Sequence, residues 1–122
     1  MDIFLWILQV LLGLAFIAAG YNHGFNIEKA RTQMQWMTAV PDNLLRLIGV
    51  SEILGGIGLI LPAVTGILPH LTAWAAVGLS AIMILAVLFH LRRREYPAIA
   101  INLVLLALAG FVAYGRFVLV PL

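Results

Sequence analysis

The sequence predicts an all-α membrane protein, a transmembrane four-helix bundle with a short interfacial helix in its first loop. Hydrophobic residues make up 64% of the chain and charged residues 10%, with a mean hydropathy of +1.11. That leaves too little polar surface for a soluble domain of 122 residues. Four apolar runs, about residues 3–21, 44–61, 71–91 and 97–120, each approach the ~20 residues that carry a helix across ~30 Å of hydrocarbon. These runs are apolar all round, whereas a soluble bundle would confine its apolar residues to one stripe. Together they make residues 1–122 one transmembrane domain.

The first run begins within "MDIFLW", which has an acid where a signal peptide needs basic residues, so it is expected to remain in the mature protein. Its inward stripe is Gln9, Gly13, Phe16, Gly20 and His23, at helical spacing. The connection that follows holds "IEKARTQMQWM", where Ile27, Ala30, Met34 and Met37 repeat at helical spacing against Glu28, Arg31 and Gln35. This is the interfacial helix, either a lid over the bundle's mouth or a gate for a substrate. Pro41 then stops it, and Asp42 or Asn43 is expected to cap the second run. Pro62, Thr65, Gly66 and Pro69 shape a short turn before the third run, and Pro97 opens the fourth.

Basic residues divide unevenly between the two ends. Lys29, Arg31, Arg46, Arg92, Arg93 and Arg94 lie on the side of the first and third loops, while Arg116 alone lies on the side of the termini. The positive-inside rule then places those loops in the cytoplasm and both termini outside, in the cell's inner membrane. The run Arg92 to Arg94 reads as a topology anchor for anionic lipid. The aromatic residues, Trp36 included, mostly mark the interfacial belts. The cations are too few and too peripheral to indicate nucleic acid.

One residue resists the membrane reading. Glu52 stands in "LIGVSEILGGIGLILP", eight residues and about 12 Å in from Leu44 at 1.5 Å per residue, where a carboxylate costs about 3 kcal/mol. Leu45, Gly49, Gly56 and Leu59 share its face, and the glycines allow close approach by another backbone, so the acid is expected to point inward. Span ends bring Asn22, His23, His90 and Asn102 to the same half of the bundle, with Gln9 deeper. Buried polar groups need partners, and these six residues form the expected ligand-binding set: Glu52, His90, His23, Asn102, Asn22 and Gln9. The histidines and amides also have a structural reading, as interfacial imidazoles or amides that join helices, whereas Glu52 alone favours a functional one.

A Glu–His pair can move a proton near neutral pH, which suits a quinone or another flat lipophilic molecule entering from the bilayer. With no cysteine, thiolate, iron–sulfur and cysteine–zinc chemistry are excluded. No metal is expected. Haem is disfavoured because His23 and His90 lie at span ends, and four spans in one protomer leave no pore.

The stretches "AFIAAG", "LIGVSEILGGIGLILPAVTGILP" and "FHLRRREYPAIAINLVLLALAGFVAYGR" together resemble the DoxX-like integral membrane proteins. The resemblance implies a four-helix membrane bundle in which Glu52, His90 and Asn102 stand at the family's Glu, His and Asn positions. Its founding member is a small subunit of a thiosulfate:quinone oxidoreductase. Many relatives carry a Lys where the first span ends, and this chain has "AGYNHGF" there. The thiosulfate reaction does not carry over, since nothing in this chain binds an anion beside a redox centre.

The expected function is a membrane protein whose polar pocket binds a quinone-like or other lipophilic molecule, as a redox accessory. The alternative is a structural or assembly protein whose buried polar residues fix packing and contact a partner membrane protein or a second copy. Whether a reaction is catalysed is left open.

Overall fold

The computed structural model describes all 122 residues. Helix α1 runs Asp2–Phe25, α2 Ile27–Gln33, α3 Asp42–Thr65, α4 Leu71–Arg92 and α5 Tyr96–Tyr114, and a π-helical turn, Gly115–Leu119, extends α5. There are no strands. The four long helices are long and apolar enough to cross a membrane; the 24 residues of α1 span about 36 Å. Neighbours run antiparallel in the order α1, α3, α4, α5, with a lighter contact closing α5 on α1. Leu12, Phe16, Leu59, Leu79, Met83 and Val112 fill the centre, while aliphatic side chains such as Leu11, Leu47, Leu85 and Val104 cover the outside and would face lipid.

The closest seam lies between α1 and α3. A Cβ added at Gly20 would stand 2.5 Å from the Gly49 carbonyl oxygen, and one at Gly13 would stand 2.8 Å from that of Gly56. The helices touch backbone to backbone, which only glycine allows. This seam positions Glu52, one turn beyond Gly49 on the same buried face of α3 as Leu45, Gly56 and Leu59.

Three boundaries differ from the sequence reading. The expected interfacial helix ends at Gln33 and becomes a 3₁₀ turn, Gln35–Ala39, because Met34 is extended (φ −124°, ψ 96°). Arg31 stabilises that fold-back, donating from Nε to the Met37 carbonyl at 3.3 Å and from Nη2 to the Val40 carbonyl at 2.9 Å. Neither Asp42 nor Asn43 caps α3 with its side chain; Pro41 holds the cap position, and Asp42 pairs with Arg31 Nη2 at 2.7 Å. Helix α3 also continues through Pro62 to Thr65 and stops only at Gly66, where φ is +71°. Pro62 removes one helical N–H bond, a loss the flanking turns absorb.

Candidate functional site

Glu52 is 2% exposed, and its Oε1 lies 2.7 Å from Nδ1 of His23. Antiparallel packing produces this pair: with Gly20 against Gly49, the last turn of α1 lies across the middle of α3. The separation fits one proton held between carboxylate and imidazole, the geometry of a charge-assisted hydrogen bond. The expected inward turn of the acid and its imidazole partner are therefore both present. The amide partners are not. Asn22 Oδ1 accepts a long 3.5 Å contact from Asn26, and the side chain of Asn102, half-buried on α5, makes no hydrogen bond within the chain.

His90 is buried at 4% exposure but pairs with a residue the sequence analysis passed over. Its Nδ1 lies 2.9 Å from Glu95 Oε1, and Arg93 Nε donates to the same oxygen at 3.0 Å. A Schellman turn makes this local. The Glu95 N–H bonds the His90 carbonyl and the Arg94 N–H the Leu91 carbonyl, while Arg94 holds φ +56° where glycine is usual. That left-handed residue folds Glu95 back over the helix end. Arg93 also lies over the Phe89 ring, 5.6 Å from its centroid.

Partial burial pushes the Glu95 carboxyl up, but hydrogen bonds from His90 and Arg93, with the charges of both, outweigh it and hold the group below its ordinary 4.5. A depressed carboxylate contributes stability above its unfolded pKa and loses it as pH falls through the folded one. Thermal melting in detergent should therefore show an acid-side loss beginning below about pH 4.5. Glu95→Gln should lack that component; an unchanged acid limb would mean the turn adds nothing.

Between the two Glu–His pairs stands Trp36, from the 3₁₀ turn. Its ring centroid is 5.2 Å from that of His23 and 5.4 Å from that of His90, edge to face at 77° and 88°, and Phe89 backs it at 6.1 Å. Trp36 is thus more than an interfacial aromatic. Each imidazole is held through Nδ1, and neither Nε2 bonds to the chain. Two open cavities lie elsewhere, and neither is lined by these residues. One is an apolar groove of about 450 Å³ along α3 and α4. The other is a polar cleft of about 530 Å³ reached by Asn26, Glu28, Arg31, Asp42 and Arg46.

Gln9 is not beside Glu52. Fully buried, it donates from Nε2 to the Leu59 carbonyl at 2.9 Å and accepts from Arg116 Nε at 2.6 Å. Fourteen residues separate it from His23 on α1, about 21 Å of rise. It belongs to a second polar centre at the end of the termini, where Arg116 Nη1 also reaches Asp2 at 2.7 Å and the Val120 carbonyl at 3.0 Å. Arg116 itself is 3% exposed. The sequence reading counted it only as the one cation on the side of the termini; the π-helical turn aims it inward, and periodicity gives no sign of such a turn.

A family model described as the DoxX-like family matches residues 7–112, which include both polar centres apart from Asp2 and Arg116. No curated protein and no solved structure matches the chain.

Proposed function

The chain belongs to the DoxX-like family, and from that premise we propose that this multi-pass membrane protein binds a quinone-like or other lipophilic small molecule at Glu52, His23 and His90, as an accessory to a redox partner. The observation that carries the reading is the buried carboxyl of Glu52, 2.7 Å from His23 Nδ1 in a helix surrounded by apolar residues. Keeping an ionisable pair at that depth is costly, and such residues usually serve a bound group or a proton path. Neither the Asn22 nor the Asn102 side chain bonds to any of the three. Gln9 falls outside the site.

The test is native mass spectrometry of protein extracted in a mild detergent. A discrete small molecule should travel with the wild-type chain and be lost from Glu52→Gln, which keeps the shape of the side chain. If Glu52→Leu instead raises the melting temperature and every cellular phenotype is retained, the pair serves packing alone.

A structural or assembly role is the second reading. It is favoured by Gly78 and Gly110, where an added Cβ would meet nothing within 4 Å, leaving small-residue surface for a partner helix or a second copy.

For topology we propose an inner-membrane protein with both termini outside. Of its cations, Arg116 alone is at the terminal end and is paired with Asp2, which leaves the free basic residues at the loop end. Cysteine placed at Thr65, labelled in intact cells by an impermeant thiol reagent, should react, and cysteine at Gln33 should not. The reverse pattern inverts the topology.

A further inference from the structure

Resting on that reading, we propose that the space filled by Trp36 is the ring-binding slot of the site, and that Trp36 holds it closed until a flat conjugated ring takes its place. The slot is built from both sides. His23 and His90 present themselves to the indole at nearly equal distances, 5.2 and 5.4 Å, and each is held by a carboxylate at Nδ1. Such a carboxylate sets the tautomer of an imidazole and leaves Nε2 to meet a second group. A planar molecule in place of the indole would meet both imidazoles, and either Nε2 could accept from a hydroxyl on its rim, or donate to a ring oxygen where the imidazole carries both protons. A saturated, puckered ring would lack the flat faces that edge-to-face contacts need.

The segment that carries Trp36 is held in a way that can be undone. Its backbone is tied by Arg31 to the carbonyls of Met37 and Val40, and Arg31 in turn pairs with Asp42, whose side chain is 57% exposed. Exposed pairs of this kind contribute little. Buried Met37 and Val40 anchor the turn against Leu45 and Ala30, so Trp36 can swing while the segment stays attached.

Diethyl pyrocarbonate, which modifies imidazoles, gives a readout that needs no ligand. His70 lies exposed in the turn before α4 and serves as the internal control. In the intact protein, Trp36→Ala should raise the modification rates of His23 and His90, mapped by peptide mass spectrometry, at least tenfold while His70 stays constant. Saturating menadione, a flat naphthoquinone, should then return both rates toward wild-type, which a partly unfolded variant would not do. Menadione affinity by calorimetry in nanodiscs should rise about tenfold in Trp36→Ala and less in Trp36→Phe.

Unchanged histidine rates in Trp36→Ala, or raised rates that menadione does not reverse, overturn the slot. If menadione binds wild-type protein and Glu52→Gln weakens that binding while Trp36→Ala leaves it unaltered or weaker, the slot fails and the Glu52 site stands. If menadione binds neither protein, both fail.

Discussion

Gly49→Ala should cost the protein about 1 kcal/mol of stability, up to about 2, and Gly49→Leu should prevent the bundle from assembling. A Cβ at position 49 would lie 2.5 Å from the Gly20 carbonyl oxygen, 2.6 Å from Gly24 Cα and 2.7 Å from Gly24 N. All three are backbone atoms of α1, so no rotamer relieves the clash and the helix itself must move. Overpacking of this kind costs about 1–3 kcal/mol, partly offset by the ~1 kcal/mol that alanine gains over glycine within a helix. Since Glu52 is one turn from Gly49, a displaced α1 would also stretch the 2.7 Å contact to His23, so ligand binding should fall with stability. Gly78→Ala and Gly110→Ala are the matched controls. Their added methyl groups meet nothing within 4 Å, and they should stabilise by up to about 1 kcal/mol. Thermal melting in one detergent compares the set. Equal tolerance at positions 49 and 78 would mean that the α1–α3 seam does not hold the bundle.

The residues that made this seam legible are those whose pattern has one physical cause. Leu45, Gly49, Glu52, Gly56 and Leu59 were expected on one face of the second span, and they are the buried residues of α3. Helical periodicity decides which residues share a face, and the cost of exposing a carboxyl to hydrocarbon decides that the face turns inward. The expected stripe on α1 is likewise buried or half-buried throughout, from Gln9 to His23. What periodicity cannot give is the partner of each group. His90 was grouped with Glu52 by depth, but a left-handed Arg94 brings Glu95 to it first, and φ at a single non-glycine residue is not written in the pattern of apolar residues.

Trp36 was obscured for a related reason. A tryptophan near a span end is ordinarily an interfacial residue, and only the break at Met34, fixed by side-chain bonds from Arg31 to distant carbonyls, turns it between the histidines. Asn102 shows the converse. Its spacing put it in the right half of the bundle, yet amides on neighbouring helices bond only when rotation and reach agree, and here no such bond forms. The two polar centres thus have different origins. One arises from register between α1 and α3 and could be read from the sequence; the other depends on an irregular turn at the end of α5 and could not.

That second centre gives the other large effect. Arg116→Leu should lower stability by about 2–3 kcal/mol, while the double variant Gln9→Leu/Arg116→Leu should recover most of the loss. The single change removes the donor at 2.6 Å from Gln9 Oε1, and because Gln9 is fully buried its carbonyl would be left without a partner, at about 1–3 kcal/mol. The pairing with Asp2 adds little to that sum, since the Asp2 side chain is 55% exposed and water can replace the lost cation. Removing Gln9 as well takes away the stranded acceptor. It leaves the Leu59 carbonyl without its side-chain donor, a small loss for an oxygen that already sits within a helix. Two leucines would then pack where a desolvated guanidinium had stood, an exchange that is often neutral or favourable. Arg116→Lys tests whether charge suffices without the fork, since an ammonium cannot reach Gln9, Asp2 and the Val120 carbonyl together as the guanidinium does. It should fall between wild-type and Arg116→Leu. Melting temperatures of the four proteins complete a double-mutant cycle, and additive losses in that cycle would show that Gln9 and Arg116 act independently, contrary to the geometry.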